Sequence, residues 1–158
     1  MIKIIAIGKL KEKASVSLVE EYAKRIKAFS KLEIIEVSDQ KIPHNASAKE
    51  EEMVLLKEGR DVLSKIKDDE FVILLDLHGS YMSSEEFSSY LNNLFITGKS
   101  TVTFVIGGSL GVSKELVERS NYRFKLSPLT FPHQLVRILL VEQIYRAFTI
   151  VKGSPYHK

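Results

Sequence analysis

The chain has 158 residues, of which 44% are hydrophobic and 27% charged, and its net charge at pH 7 is +3. This composition excludes a disordered chain, and the absence of cysteine excludes disulfides and thiolate metal sites. No apolar run approaches the roughly 20 residues of a membrane span, and the apolar start is too short for a signal peptide. We expect one cytoplasmic domain, 1–158, whose charge permits nucleic-acid binding without requiring it.

The first half of the chain predicts two strands and two helices. They cover Ile2–Ile7, about Ser15–Phe29, Leu32–Val37 and Ser47–Ile66. Ser47 and Glu50 have the spacing of a capping box, which marks where the second helix begins. A basic loop with Lys9 and Lys11 follows the first strand. Such loops are usually only solvated, but this one follows a strand end, where ligands bind.

The second half continues the alternation. Strands are predicted over Phe71–Leu77, Thr101–Ile106 and Tyr122–Leu126, and helices over Ser83–Phe95, Ser113–Ser120 and Pro132–Lys152. Strands alternating with helices along the whole chain predict an α/β fold. We expect a mostly parallel sheet with helices on both faces.

The last predicted helix is apolar on nearly every side. Only a few polar residues, such as Glu142 and Arg146, interrupt it, and these two have the i, i+4 spacing of a structural ion pair. A helix of this kind must be buried on nearly all sides. Two arrangements would achieve this: a homodimer, which we favour, or a central position in the core of a monomer.

Two loops at the ends of predicted strands are candidates for a cofactor pocket. Gly107–Gly111 is neither a Walker A loop nor a Gly-x-Gly-x-x-Gly fingerprint, and alone it is more typical of a tight turn. The loop Leu126–Phe131 combines Ser-Pro with apolar residues, which suits the wall of a pocket for a flat heterocycle. Loops at the carboxyl ends of neighbouring parallel strands would face one another.

Several polar residues near the C-terminal helix are candidates for binding or for capping. His133 and Arg137 are four residues apart, a spacing that can place both on one helix face, although for His133 alone a helix cap is the slightly favoured explanation. The four histidines lack metal-ligand spacing, so we predict no metal site. The tail Tyr156-His157-Lys158 is either frayed or able to stack on a base and neutralise a phosphate.

Four segments of the chain carry a family resemblance when taken together. They are Val105–Ser109, Leu126–Gln134, Glu142–Ala147 and Pro155–His157. With the opening Lys3–Lys11, they resemble the RlmH (YbeA-like) family of SPOUT-class methyltransferases, and the similarity covers the whole chain.

The resemblance implies a fold, a cofactor and a substrate. The fold would contain a C-terminal trefoil knot, a feature rare among proteins, and the chain would form a homodimer. S-adenosylmethionine would contact Leu75, Gly107, Leu126, Ser127, Pro128, Leu129, Thr130 and Phe131. The family methylates N3 of a pseudouridine in helix 69 of 23S rRNA, on the ribosome. The tail of one subunit would complete the site of the other.

The implied chemistry suggests roles for the polar candidates. N3 of a uracil-like ring must lose a proton, so His157, or less favourably His133, is the candidate general base. Arg137 and Lys158 are candidates for contacts to phosphate or to the developing anion. Lys9, Lys11, Tyr156 and Lys158 are the candidate RNA-binding residues.

Two other classes of function compete with a methyltransferase. The first is a ribosome- or RNA-binding protein of the same fold that has lost catalysis. Two intact cofactor loops count against it, and calorimetry with S-adenosylmethionine would separate the two. The second, a nicotinamide-dependent oxidoreductase, lacks the fingerprint glycines and the acidic partner of the ribose.

Overall fold

The computed structural model describes all residues, 1–158, as five strands and five helices in strict alternation. The elements are β1 Ile2–Ile7, α1 Lys13–Ile26, β2 Leu32–Val37, α2 Ala48–Leu63, β3 Phe71–Ser80, α3 Ser84–Ile96, β4 Val102–Ile106, α4 Lys114–Arg119, β5 Tyr122–Phe124 and α5 His133–Val151. The predicted order of elements is confirmed. Ser47, Ser83 and Ser113 cap α2, α3 and α4, and the first two close full capping boxes.

The five strands form one parallel sheet in the order β2-β1-β4-β3-β5. Every residue of β1 and β4 is buried, which explains why both strands are continuously apolar apart from Lys3 and Thr103. The predicted α/β fold with helices on both faces is confirmed. Because all strands run the same way, their carboxyl ends meet at one edge of the sheet.

Alternate residues of each strand serve the two helix layers. Ile2, Ile4 and Ala6 of β1 pack in a core shared with α1, α3 and α5. Ile5 and Ile7 pack in a second core with residues of α2 and α4. The strand period of two thus directs five of the six residues of β1 into the two cores in turn, while Lys3 is buried in an ion pair with Glu70.

Strands β3 and β5 end differently from the sequence prediction. Strand β3 continues past Leu77 to Ser80, while β5 stops at Phe124 rather than Leu126. After a register shift, Ser80 pairs with Phe124, and the Lys125 amide donates a hydrogen bond to the Ser80 carbonyl at 3.0 Å. A Cβ on Gly79 would lie 2.4 Å from the Arg123 carbonyl oxygen, so only glycine lets the two strand ends approach this closely.

Helix boundaries also shift by one to three residues. Helix α1 begins at Lys13, two residues before the predicted start, and ends at Ile26. Helix α2 ends at Leu63 rather than Ile66. Pro132 lies just outside α5, because its ψ of 142° is extended rather than helical.

Helix α5 lies between α1 and α3 on the sheet. Its fully buried positions are Arg137, Leu140, Val141, Ile144, Ala147 and Thr149, and aromatic contacts such as Phe29–Phe148 join it to neighbouring elements. Leu135 and Val151 remain 41% and 48% exposed. One chain therefore covers most of α5, and the homodimer stays a prediction. No helix has the length and apolar content needed to cross a membrane.

Candidate cofactor cleft

A cleft of about 660 Å³ opens at the carboxyl edge of β3, β4 and β5. Its walls come from three stretches of chain: residues 75–78, residues 106–112 and residues 123–133 without Pro128, with Val117 and Val136 alongside. This is the edge at which parallel α/β sheets bind ligands. The two loops singled out in the sequence therefore face a common space.

The glycine loop after β4 is closed so tightly that side chains have no room. Gly108 and Gly111 form an isolated bridge, and the Gly111 amide donates to the Gly108 carbonyl at 3.1 Å. A Cβ on Gly107 would lie 2.7 Å from Val112 Cγ1 and 2.8 Å from the Gly111 carbonyl oxygen. Gly111 has a φ of +94°, a value that glycine adopts without strain.

The second wall is the loop that leads from β5 into α5. Ser127 Oγ accepts a hydrogen bond from the Leu129 amide at 3.0 Å, which gives the loop a local turn. Leu129 is 69% exposed although it is apolar. An exposed leucine on a cleft wall supplies the kind of apolar surface that a flat ring system covers.

Sequence reasoning missed an ion pair on the cleft wall. Asp76 Oδ2 accepts from Arg123 Nε at 2.6 Å and from Arg123 Nη2 at 2.5 Å. Asp76 Oδ1 accepts from the His78 amide at 2.9 Å, and the carboxylate is only 6% exposed. The available signal was that Asp76 is the first polar residue of an otherwise apolar strand. Its partner could not be found that way, because Arg123 lies on another strand.

Another buried carboxylate lies behind the glycine loop. Glu58 of α2 is 4% exposed, and its Oε1 accepts from the Gln40 amide at 2.9 Å. A Cβ on Gly108 would lie 3.1 Å from Glu58 Oε2. Burial raises the pKa of Glu58, a shift that the nearby His133 opposes. No set of three or more histidine, cysteine or carboxylate side chains is placed to hold a metal ion.

Two side chains at the start of α5 meet the end of β1. His133 lines the cleft, and its Nε2 would lie 3.8 Å from a Cβ on Gly8. Arg137 lies one turn further on, is 1% exposed, and donates from Nη2 to the Gly8 carbonyl at 2.8 Å. Its Nη1 donates to Glu36 Oε1 at 2.5 Å. The two residues do share a face, but Arg137 is buried beside the cleft rather than open to it.

The C-terminal tail folds back onto the middle of α5. Tyr156 Oη donates to Glu142 Oε1 at 3.0 Å and packs edge-on against Tyr145, with 4.8 Å between ring centroids. Burial and the Glu142 carboxylate raise the pKa of Tyr156, so the phenol stays protonated. None of residues 154–158 lines the cleft of this chain.

His157 is held by two partners whose chemistry defines its tautomer. Its Nδ1 lies 3.1 Å from Arg146 Nη1, and its Nε2 lies 2.8 Å from Glu85 Oε1. A guanidinium can only donate, so Nδ1 accepts and Nε2 carries the proton that Glu85 accepts. The same hydrogen bond holds the pKa of Glu85 below its usual value. In this position both nitrogens of His157 are occupied.

Comparison with known proteins gives the family. A profile of the family described as "Predicted SPOUT methyltransferase" matches residues 1–157. The chain belongs to the SPOUT methyltransferase family. It is 54% and 55% identical, over 157 residues, to proteins named "Ribosomal RNA large subunit methyltransferase H" from Clostridium beijerinckii and Clostridium kluyveri. A protein from Clostridium perfringens named "Ribosomal RNA large subunit methyltransferase H 1" is 53% identical. Each match covers 99% of both sequences.

This SPOUT chain brings most of the predicted cofactor residues together. Those that line the cleft are Leu75, Gly107, Leu126, Ser127, Leu129, Thr130 and Phe131, whereas Pro128 does not. His133 joins them, but Arg137 and His157 do not. Lys9, Lys11 and Lys158 are exposed, and Tyr156 is half-buried in the docked tail. Membership of the family confirms the resemblance that the four sequence segments indicated.

Proposed function

We propose that this protein transfers a methyl group from S-adenosylmethionine to N3 of a pseudouridine in helix 69 of 23S rRNA. The observation that carries the proposal is the meeting of the two cofactor loops in one cleft, within a chain of the SPOUT family. The relatives' printed names support ribosomal RNA of the large subunit as the substrate. The choice of a pseudouridine, its N3 and helix 69 comes from the family resemblance described above.

The cleft suits S-adenosylmethionine in size and lining. Its volume of about 660 Å³ lies within the usual range of roughly 300–1,000 Å³ for small-molecule sites. Gly107 allows the glycine loop to close, since a Cβ there would meet Val112 and the Gly111 carbonyl, and Leu126 and Leu129 offer apolar walls. The residues that would hold the cofactor are Leu75, Gly107 and residues 126–131 other than Pro128, with Ser127 among them and Asp76 beside them as polar groups. When bound, S-adenosylmethionine supplies a methyl group activated by its sulfonium.

The chain's own residues would manage the proton and the negative charge. N3 of the base carries a weakly acidic proton that must leave as the nitrogen gains a methyl group. His133 lines the cleft of its own chain, whereas His157, the favoured base, lies in the tail. Delivery of His157 to a partner's cleft in a homodimer would free Nδ1 from Arg146 and make it available as a base. Lys158 would accompany it as a cation for phosphate.

Methylation of ribosomal subunits tests the proposed reaction. The substrate is large subunits from cells that lack this protein, and the product is read by mass spectrometry of the rRNA. We expect one added methyl group on a pseudouridine, and no methylation when uridine replaces it. A protein that binds the subunits but shows no calorimetric binding of S-adenosylmethionine would instead be the non-catalytic RNA-binding alternative.

Substitution of the two histidines tests the proposed base. We expect His157→Ala to lower kcat by about 100-fold or more, the usual contribution of a positioned general base, and His133→Ala to lower it less. His44→Ala, which changes an exposed histidine outside the cleft, is the matched control. Full activity of His157→Ala, together with loss of activity on Tyr156→Ala, would show that the tail binds RNA without supplying the base.

A further inference from the structure

The basic loop between β1 and α1, residues 8–12, is held at Gly8 and at Leu10. The Gly8 amide donates to the Val37 carbonyl at 2.7 Å, and the Gly8 carbonyl accepts from Arg137 Nη2 at 2.8 Å. The Leu10 amide donates to Glu36 Oε1 at 3.3 Å. Lys9 lies between these anchors with its side chain exposed, and Lys11 follows directly. The cations of this loop therefore project from an ordered backbone.

Arg137 and Glu36 together form the clamp that orders the loop. Glu36 Oε1 accepts from both Arg137 Nη1 and the Leu10 amide. The Arg137 side chain is 2% exposed and the Glu36 side chain 33% exposed. Arg137 Nε is buried without a partner, so the guanidinium is kept in place despite an unsatisfied donor. A buried cation of this kind is retained only where its partners compensate its desolvation.

The clamp also joins the loop to the cleft. Arg137 lies one turn after His133, which lines the cleft and whose Nε2 would lie 3.8 Å from a Cβ on Gly8. The wall formed by residues 126–131 leads directly into that turn. Through its bonds to the Gly8 carbonyl and to Glu36, Arg137 therefore links the loop that carries Lys9 and Lys11 to the first turn of α5 beside the cleft.

We infer that Arg137 and Glu36 are positioning residues that preorganise the basic loop for RNA, and that neither touches the RNA. This inference rests on the proposed function, because it assigns the loop cations to RNA phosphates. A clamped loop binds RNA without first losing conformational entropy. Glu36, although acidic and near the phosphates, strengthens binding through the clamp.

Two variants and a charge-matched control test the clamp. Glu36→Ala removes the shared acceptor, Arg137→Gln removes the buried cation, and Glu33→Ala removes an exposed acid from the same strand without touching the loop. We expect Glu36→Ala and Arg137→Gln to bind large ribosomal subunits about tenfold more weakly, the effect of ordering roughly one further residue on binding. Glu33→Ala should bind as well as the unaltered protein or slightly better, since it only adds net positive charge.

The salt dependence separates positioning from contact. Affinity for RNA falls as the salt concentration rises, and removing one phosphate contact makes the plot of log affinity against log salt shallower by about one unit of slope. We expect that loss for Lys9→Ala and Lys11→Ala, and an unchanged slope for both clamp variants. Affinity for S-adenosylmethionine should stay within about twofold of the unaltered protein, since neither residue lines the cleft. Hydrogen exchange at the Leu10 amide of the free protein should accelerate in both clamp variants.

The outcomes that overturn the inference are distinct from failure of the proposed function. If the plot of log affinity against log salt becomes shallower by about one unit of slope in Arg137→Gln, Arg137 contacts a phosphate directly. Unchanged affinity of Glu36→Ala for large ribosomal subunits would show that the clamp does not order the loop for RNA. If Arg137→Gln does not fold, the result with Glu36→Ala decides the question alone. If the unaltered protein binds neither ribosomal subunits nor S-adenosylmethionine, the proposed function fails, while Leu10 exchange still reports on the clamp.

Discussion

Gly107 shows how a single position connects the backbone to the cofactor cleft. Its surroundings leave no room for a methyl group, because the nearest obstacles are Val112 and the Gly111 carbonyl. The Val112 side chain could rotate away from an added Cβ. The Gly111 carbonyl could not, because it is part of the loop backbone and moves only if the whole loop moves. A side chain at position 107 would therefore open the loop that forms one cleft wall.

Gly107→Ala should weaken binding of S-adenosylmethionine by about tenfold or more, since overpacking that shifts a backbone costs about 1–3 kcal/mol. Calorimetric titration measures the effect. Gly98→Ala is the control: Gly98 has a φ of +90° and open space at its Cβ, and it lies outside the cleft. It should lose stability through backbone strain while keeping its affinity for the cofactor. Equal affinities in the two variants would contradict the role given to Gly107.

At the scale of elements, a buried ion pair joins three parts of the sheet. Lys3 of β1 pairs with Glu70, which precedes β3, and Thr103 Oγ1 of β4 donates to Glu70 Oε2 at 2.6 Å. Lys3 also donates to the Lys65 carbonyl at 3.1 Å. Burial opposes ionisation of Glu70, but the hydrogen bonds that its carboxylate accepts from Lys3 and Thr103 hold its pKa below the usual 4.5. The cluster lies at the opposite edge of the sheet from the cleft.

Lys3→Met should destabilise the protein by about 3–5 kcal/mol at neutral pH, because it leaves the Glu70 charge buried without its cation. Since the folded state lowers the pKa of Glu70, its contribution is present above the usual pKa and is lost as the pH falls through the lower, folded value. The gap between the variant and the unaltered protein should therefore narrow in acid. Urea denaturation at neutral and acid pH measures this, with the exposed Lys31→Met as control. If the difference in the free energy of unfolding does not change with pH, Lys3 and Glu70 do not form an ionised pair.

At the scale of the whole molecule, the tail and the cleft are separate within one chain. Tyr156 and His157 are held by Glu142, Arg146 and Glu85 on the helical layer. The proposed role of His157 as the base requires the tail to reach a cleft, and the exposed apolar residues Leu135 and Val151 of α5 are available to a second copy. A homodimer whose tails act on the partner's cleft satisfies both conditions.

A mixture of two inactive variants tests this arrangement. One carries Gly107→Arg and has an intact tail, and the other ends at Gly153 and has an intact cleft. Co-folded in equal amounts, they should recover about a quarter of the unaltered activity, because half of the dimers are mixed and each contains one complete site. Either variant alone is the control. No recovery, with mixed dimers present by mass spectrometry, would mean that the tail acts within its own chain.

The order of the elements, the Ser47 cap and the two candidate cofactor loops could all be predicted from the sequence. Each depends on residues close together in the chain: alternating or helical apolar spacing, Ser47 with Glu50, and glycines directly after an apolar strand. The parallel sheet followed from the same alternation. Even the meeting of residues 107 and 126–131 was predictable, because carboxyl ends of parallel strands share an edge.

Only the tertiary structure decided which charged groups face one another. The Asp76–Arg123 pair, the extension of β3 to Ser80 and the docking of His157 beside Glu85 all join residues far apart in sequence. Arg137 is the clearest case. Its charge and spacing predicted an anion contact, but the fold buries it against Glu36, which lies 101 residues earlier. Sequence alone determined the local conformations because these arise from neighbouring residues, whereas the partners of buried charges depend on long-range packing.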